Sequence, residues 1–417
     1  MDSFRWECST KVRFGAGCVK EYLEELVREF DPAGSNIMIG LGGGSAKKNG
    51  SYDDVMDVLV SMGYSPDAES DCTKGRIVEF SGIMSNPTLA KMLEGAKLAR
   101  ENNVGLILAV GGGSVMDCCK AISAQALYEG DAWEDFWIQG KPMVHSIIPC
   151  GVIVTMPATG SEVNGCAVLT NEDTRIKCDR DYPEMNPVFA LMDPLYTLSM
   201  PLRQMRAGTF DILSHIMETY FSFPVEGNPA DDVSEGLMKG LIRDFRAALV
   251  SPQDLQARSN IMWTASLAEN RIIKTGKSKD FQAHNMEHQL SAYTGCNHGE
   301  GLAVLHPTYY RHIYRAGLPK FVSFARNVWG LTDEDAIRYR ENSGTDMTYD
   351  EAMALAGIAA LEDLIREAGL PTSLRELGFG EEERKILPEI AGSCSVSAGS
   401  LRCVDAAEIL EIYEECW

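Results

Sequence analysis

The stretch 104-VGLILAVGGGSVMDCCKAISAQAL-127 joins an apolar run, three consecutive glycines and an amphipathic pattern. The apolar run predicts a strand buried on both faces, and the residues after it predict a helix that starts near Val115. Glycines let the backbone approach a ligand closely, and a helix N-terminus presents free N–H groups and a positive dipole end to an anion. With Ser114 as N-cap, the stretch predicts a strand–loop–helix unit that binds a pyrophosphate. The alternative is a tight turn without a ligand, since neither G-x-G-x-x-G nor the P-loop pattern is matched.

Similar apolar runs alternate with helical patterns through the first half of the chain. Strands are predicted at 36–41, 104–110, 146–156 and 188–193, and helices at 53–63 and 89–103. This alternation is typical of an α/β domain with a mostly parallel sheet. From Gln204 onward the patterns are helical, at 232–249, 254–272, 351–369 and 404–415. We therefore predict an α/β nucleotide-binding domain over 1–199 and a helical domain over 200–417.

A second glycine loop lies in 36-NIMIGLGGGSAKKNG-50, where a predicted strand runs into Gly42, Gly43, Gly44 and Ser45. In dinucleotide-binding folds, an acidic residue at a strand end often binds the ribose hydroxyls of the adenosine. Here the strand end carries no carboxylate, and Lys47 and Lys48 follow. This composition favours NADP over NAD; a solvated Gly-Lys turn is the alternative.

Charge and composition exclude several classes of protein. The net charge of −22 and the pI near 4.8 disfavour binding to nucleic acid or to anionic membranes. No apolar run reaches the roughly 18 residues of a membrane helix, and the N-terminus lacks the pattern of a signal peptide. None of the twelve cysteines forms a C-x-x-C pair, so we expect free thiols. The expectation is a soluble cytoplasmic protein.

Three of the seven histidines fall within fifteen residues, in 281-FQAHNMEHQLSAYTGCNHGEG-301. His284 and His288 are four residues apart, which places them on one helix face, and His298 follows in a glycine-rich turn. Asp211 and His215 share the same spacing on another apolar helix. Burying such groups is costly unless they have partners, and a divalent metal satisfies several at once. Imidazoles with one carboxylate suit Fe(II), Zn(II), Co(II) or Mn(II). The metalloprotease pattern H-E-x-x-H is absent, because the glutamate precedes His288.

These motifs together resemble the iron-containing (group III) alcohol dehydrogenase family. The residues that carry the resemblance are GGGSVMD at 111–117, PATGSE at 157–162, D-x-x-x-H at 211–215 and H-x-x-x-H-(9)-HG at 284–299. They span essentially the whole chain, in order. The loop LGGGSAKKNG at 41–50 is most similar to the NADP-preferring butanol dehydrogenase and aldehyde reductase branch, since NAD-preferring members carry Asp where this chain has Gly43. The resemblance implies a Rossmann-like domain followed by an all-helical metal-binding domain, the architecture of dehydroquinate synthase.

The resemblance also implies roles for individual residues. The metal ligands would be Asp211, His215, His284 and His298, holding Fe(II) or Zn(II). His288 would lie near the nicotinamide and the substrate and handle a proton. Besides Gly42, Gly43 and Ser45, the residues that would contact NADP(H), or NAD, are Gly112, Gly113, Ser114, Asp117, Thr155, Thr159, Ser161 and Lys177.

The expected activity is hydride transfer between NADP(H) and a primary alcohol or aldehyde, in a homodimer or larger homo-oligomer. An NAD-preferring enzyme and a polyol (glycerol-type) dehydrogenase are alternatives within the oxidoreductases. A dehydroquinate synthase-like lyase and a non-enzymatic metal-binding protein are more remote, and the set of one aspartate and three histidines argues against the lyase.

Overall fold

The computed structural model describes residues 3–67 and 73–417. The chain divides into two compact units, Glu7–Pro201 and Leu202–Trp417, and residues 3–6 belong to the second unit. The sequence places this boundary between residues 199 and 200. Cys72 lies outside the described residues, and no disulfide bond joins the other cysteines.

The first unit is an α/β structure. Its strands and helices, in chain order, are β1 (Lys11–Phe14), α1 (Cys18–Phe30), β2 (Asn36–Leu41), α2 (Ser45–Lys48), α3 (Ser51–Ser61), β3 (Ile77–Phe80), α4 (Leu89–Glu101), β4 (Val104–Gly111), α5 (Gly113–Ala126), β5 (Cys150–Val154), β6 (Cys166–Asn171), β7 (Ile176–Asp181) and β8 (Phe189–Met192).

Six of these strands form one parallel sheet in the order β1-β8-β5-β4-β2-β3, and β6 pairs with β7 as a separate antiparallel hairpin. From β2 the chain crosses to β3 at one edge, whereas from β4 it crosses to β5 on the opposite side. The neighbouring strands β2 and β4 therefore flank the topological switch point, where open α/β sheets bind ligands beyond the carboxyl ends of their strands. Both glycine loops follow these two strands.

The second unit is helical, and no strand longer than an isolated bridge occurs in its described residues. Its helices are α6 (Leu202–Tyr220), α7 (Pro229–Val250), α8 (Leu255–Glu269), α9 (Gln282–Thr294), α10 (His298–Ile313), α11 (Leu318–Ser323), α12 (Asp333–Ser343), α13 (Tyr349–Glu367), α14 (Glu381–Ser393) and α15 (Ala406–Glu415). Helix α6 is central, since every residue from Ala207 to Tyr220 is buried. The predicted fold class, an α/β domain followed by a helical one, is confirmed.

The helices were compared with the requirements for a membrane-spanning segment. Within the described ranges, none combines the length and the apolar character that a transmembrane span requires.

Candidate metal and nucleotide sites

Three helices of the second unit bring the predicted metal ligands together. Helix α6 carries Asp211 and His215, α9 carries His284 and His288, and α10 begins at His298. Helix α10 packs against both α6 and α9. Its first turn approaches α6 so closely that a Cβ on Gly299 would lie 2.2 Å from the carbonyl oxygen of Ala207. The glycine of the HG pair is therefore required for His298 to reach the cluster.

The polar atoms at the centre of this cluster are close together yet not hydrogen-bonded. Asp211 Oδ1 lies 3.7 Å from His284 Nε2 and 3.7 Å from His298 Nε2. Asp211 Oδ1 and His284 Nε2 are both buried without a hydrogen-bond partner. The ring of His215 lies 4.5 Å from that of His284. A buried polar atom without a partner is costly, and a cation between these atoms would remove that cost.

The Nδ1 atom of each of the three predicted ligand histidines has a hydrogen-bond partner. His215 Nδ1 donates to the backbone oxygen of Asp211 at 2.8 Å, while His284 Nδ1 and His298 Nδ1 donate to Glu218 and Glu287, respectively. A hydrogen bond at Nδ1 fixes the tautomer in which the Nε2 lone pair is free to bind a metal. Asp211, His284 and His298 each offer a ligand atom within 4.8 Å of the other two, and the ring of His215 lies beside that of His284. A carboxylate together with imidazoles fits Fe(II) or Zn(II).

Glu218 and Glu287 were not predicted from the sequence. Both side chains are fully buried, and Glu218 also accepts hydrogen bonds from the backbone N–H groups of Ala283 and His284. A signal for both was present, because Glu218 lies one helical turn after His215 and Glu287 immediately precedes His288. A carboxylate on an otherwise buried helix face indicates a buried partner, but the sequence does not say which one.

Burial and neighbouring charges shift the pKa values of the residues in this cluster. Burial would raise the pKa of Asp211, but attraction to His215 and His284 holds it below the usual value. Burial lowers the pKa of His215. For His284, burial also disfavours the charged form, yet Glu218 and Asp211 raise its pKa to about 10.

His288 lies beside this cluster, one helical turn after His284. Its ring centroid is 5.4 Å from that of His298 and 6.0 Å from that of His284, and the side chain is buried. One ligand atom each of Glu287, His288 and His298 fall within 4.8 Å of one another. The structure thus places His288 next to the proposed ligands, while His298 Nε2 faces Asp211.

In the first unit, the loop after β4 differs from the sequence interpretation in one respect. Helix α5 begins at Gly113, and the N–H groups of Val115 and Met116 both bond to the oxygen of Gly112. The N-cap is therefore Gly112, and the prediction that Ser114 is the N-cap was wrong. The helix starts earlier because the glycines adopt the turn without a side-chain cap. Ser114 lies in the first turn, half-buried.

A second segment, from Thr155 to Ser161, lies against this loop. The Thr155 N–H bonds to the oxygen of Gly111 at 2.9 Å, and a Cβ on Gly113 would lie 2.6 Å from Thr159 Oγ1. Ser161 Oγ donates to Asp117 Oδ1 at 2.6 Å. Glycine at 113 is thus required for the close approach, and most of the residues implied for the cofactor gather at the carboxyl ends of β4 and β5.

Asp117 and Lys177 are both buried, whereas a residue in direct contact with a cofactor is expected to be accessible. Asp117 is buried, and its Oδ2 accepts the N–H of Val168 on the β6–β7 hairpin. Burial raises the pKa of Asp117. Lys177 is also buried and lies opposite Thr170 in the hairpin. In this structure Asp117 acts by holding Ser161 and the hairpin in position.

Lys120, which the sequence analysis missed, anchors the same segment. Its buried amino group donates to the backbone oxygens of Ser161 and Asn164 at 2.8 and 3.0 Å and to that of Cys166. It lies one turn after Asp117 on α5. A lysine in an otherwise apolar helix was the available signal.

The loop after β2 also departs from the sequence interpretation. Gly43 and Ser45 are exposed, and Gly42 is half-buried. The end of β2 carries no carboxylate, as the sequence indicates. However, β3 pairs with β2 in register, with Glu79 opposite Ile39, and brings the Glu79 carboxylate to Lys47 at 2.9 Å. An acidic residue therefore reaches this loop from the neighbouring strand.

Comparison with known proteins agrees with this arrangement. Residues 9–194 match the family described as iron-containing alcohol dehydrogenase, and residues 205–417 match the Fe-containing alcohol dehydrogenase family, C-terminal. The chain is 35% identical to NADH-dependent butanol dehydrogenase A of Clostridium acetobutylicum, over 100% of both chains. It is 34% identical to the NADPH-dependent aldehyde reductase YqhD of Escherichia coli, over 91% of this chain and 90% of that one.

A solved structure gives the same result. The crystal structure of NADH-dependent butanol dehydrogenase A from Thermotoga maritima superposes with a TM-score of 0.87 at 30% identity, covering 100% of this chain and 99% of the other. Relatives named for NADH and for NADPH are about equally similar, so similarity leaves the cofactor preference open. The resemblance seen in the sequence is confirmed, and the chain belongs to the iron-containing alcohol dehydrogenase family of NAD(P)-dependent alcohol oxidoreductases.

Proposed function

We propose that the chain is a metal-dependent alcohol dehydrogenase and aldehyde reductase that transfers a hydride between NADP(H) and a primary alcohol or aldehyde such as butanol or butanal. The observation that carries the metal dependence is the buried pair Asp211 Oδ1 and His284 Nε2, both without a hydrogen-bond partner. The relatives named butanol dehydrogenase and aldehyde reductase support the substrate class.

In this proposal each residue of the metal cluster has one task. Asp211, His215, His284 and His298 would hold a divalent ion, Fe(II) or Zn(II). Glu218 and Glu287 keep His284 and His298 in the required tautomer by accepting their Nδ1 protons. When bound, the nicotinamide supplies or accepts the hydride and the metal polarises the substrate oxygen.

The chain itself must move one proton per turnover, because the hydroxyl proton of the alcohol leaves on oxidation and returns on reduction. We assign this task to an imidazole nitrogen of His288, which lies within one helical turn of the proposed ligand His284. An imidazole nitrogen can both accept and donate a proton, so it can serve in both directions. His288 is buried, as are Asp211, His215 and His284, while His298 is partly exposed, so bulk water has limited access to the proton path.

The loops at the switch point would bind the cofactor. Gly112, Gly113 and Ser114 present the N-terminus of α5, a helix of fourteen residues, to the pyrophosphate. Thr155, Thr159 and Ser161 would line the same site, with Asp117 and Lys177 supporting it. Gly42, Gly43 and Ser45 would face the adenosine ribose. We further propose that the protein is cytoplasmic and forms homodimers or larger homo-oligomers.

The test is oxidation of NADPH and of NADH by the purified protein with butanal, followed by absorbance. The protein is first stripped of metal and then supplied with Fe(II) or Zn(II) without oxygen. Activity that returns with the metal supports the reaction class. Absence of oxidation with every metal and both cofactors would refute the proposal.

A further inference from the structure

A cation, a phenol and a carboxylate meet beside the glycine loop that follows β2. Lys47 Nζ lies 2.9 and 3.2 Å from the two carboxylate oxygens of Glu79, and the Tyr52 hydroxyl donates to Glu79 Oε2 at 2.9 Å. The same ammonium lies 4.5 Å from the centroid of the Tyr52 ring. Each partner comes from a different element, namely α2, α3 and β3. The fold therefore builds this triad, and no local sequence pattern reveals it.

The triad lies where the sheet topology places the adenosine ribose. The pyrophosphate loop follows β4, the adjacent strand is β2, and β3 lies next to β2 at the edge. In doubly wound folds, the residue that reads the ribose stands at the end of the strand beside the pyrophosphate loop. Gly43, in the loop after β2, is exposed, and a Cβ there would meet nothing within 4 Å. Space for a substituent on the ribose is therefore present.

Glu79 and Lys47 act in opposite directions on a phosphate. The Lys47 ammonium attracts a dianion, but its charge is already offset by Glu79. Burial would raise the pKa of Glu79, yet the hydrogen bonds from Lys47 and Tyr52 lower it, so the carboxylate is ionised at neutral pH. An ionised carboxylate repels a 2′-phosphate and accepts hydrogen bonds from an unmodified ribose diol.

Resting on the proposed function, we infer that Glu79 is a specificity-determining residue for the cofactor: its carboxylate competes with the 2′-phosphate for Lys47 and keeps NADH acceptable to a loop that otherwise favours NADPH. Tyr52 positions Glu79 for this role. The chain then binds both reduced cofactors rather than selecting NADPH strongly.

Glu79→Gln tests this inference, because glutamine keeps the shape and an acceptor oxygen but removes the charge. We expect the Kd for NADPH to fall roughly tenfold, while the Kd for NADH changes less than about threefold. Lys47→Gln should weaken NADPH binding by a similar factor and leave NADH nearly unchanged. The Kd values come from the fluorescence of the reduced nicotinamide with metal-free protein and no substrate, so this readout does not depend on catalysis. The ratio of kcat/KM for the two cofactors is measured in parallel.

One variant controls for the general change in charge. Asp53→Asn removes one negative charge from an exposed residue beside Tyr52. It should leave the NADPH-to-NADH ratio within about twofold, and the effect of Glu79→Gln should shrink at high salt. A ratio that Glu79→Gln does not move, or that Asp53→Asn moves equally, overturns the inference alone. Absence of binding of both cofactors to the unmodified protein would overturn the proposed function with it.

Discussion

Replacing Glu218 with glutamine perturbs the metal cluster without touching a ligand. The carboxylate accepts three hydrogen bonds in the structure, from His284 Nδ1 and from the backbone N–H groups of Ala283 and His284. A glutamine has only one acceptor oxygen, and its amide nitrogen can only donate. One of these donors must then face another donor, or His284 must move its proton to Nε2 and lose the lone pair that binds the metal.

The magnitude follows from the role of such partners in metal sites. Loss of a carboxylate that orients a ligand imidazole costs about 10- to 100-fold in metal affinity, which is about 1.4 to 2.7 kcal/mol. We expect Glu218→Gln to lie at the upper end, because Glu218 is fully buried and water cannot replace it. Aldehyde reduction at limiting metal should fall by the same factor and recover at excess metal.

The assay is a titration of metal-free protein with Zn(II) in competition with a chelator. The matched control is Glu269→Gln, which also removes a buried carboxylate, one that pairs with Lys274 instead of an imidazole. Both metal-free variants are checked for folding by thermal unfolding. A zinc affinity of Glu218→Gln within about twofold of the unmodified protein would refute the view that Glu218 orients His284.

Three further predictions concern the metal, the cofactor and the core. His284→Ala should lose bound metal and aldehyde reduction together in metal analysis and steady-state kinetics; an active, metal-loaded variant would remove His284 from the site. Gly43→Asp should fold normally, since a Cβ at Gly43 meets no atom within 4 Å, and should shift the ratio of kcat/KM toward NADH through repulsion of the 2′-phosphate. An unchanged ratio would mean that Gly43 does not face the ribose. His306 is fully buried and contacts Ser214 Oγ at 2.6 Å, and burial lowers its pKa to about 4. The contribution of neutral His306 to stability is therefore complete above the unfolded pKa of 6.5. It is lost as the pH falls from there through the folded pKa. The full loss in the free energy of unfolding is about 3 kcal/mol. In urea unfolding of metal-free protein, the unmodified protein should therefore lose more stability than His306→Gln between about pH 7 and pH 5. Equal losses would contradict the view that buried, neutral His306 causes this pH dependence.

The elements predicted well are those whose pattern is local. Strands β2 and β4 are buried on both faces and therefore appear as continuous apolar runs. Strands β1 and β3 have only four residues each, KVRF alternates in polarity and IVEF is interrupted by Glu79, so neither was recognised. The β6–β7 hairpin was also missed, since IKCDRD in β7 is mostly polar.

The same distinction between local patterns and contacts across elements applies to the residues of the candidate sites. Spacing of four residues on a helix pointed to Asp211 with His215 and to His284 with His288, because that pattern lies within one helix. The partners of these ligands come from other helices: Glu218 on α6 meets His284 on α9, and Glu287 on α9 meets His298 on α10. Glu79 reaches Lys47 only because β3 pairs with β2. Contacts across elements depend on packing, which local spacing does not encode.

The central claim is that Asp211, His215, His284 and His298 bind one divalent cation. Anomalous diffraction at the zinc edge, from crystals grown with Zn(II), tests it most directly. The account predicts one strong peak at about 2.0–2.2 Å from Asp211 Oδ1 and from His284 Nε2. A peak at other residues, or no peak in this cluster at saturating zinc, would contradict it.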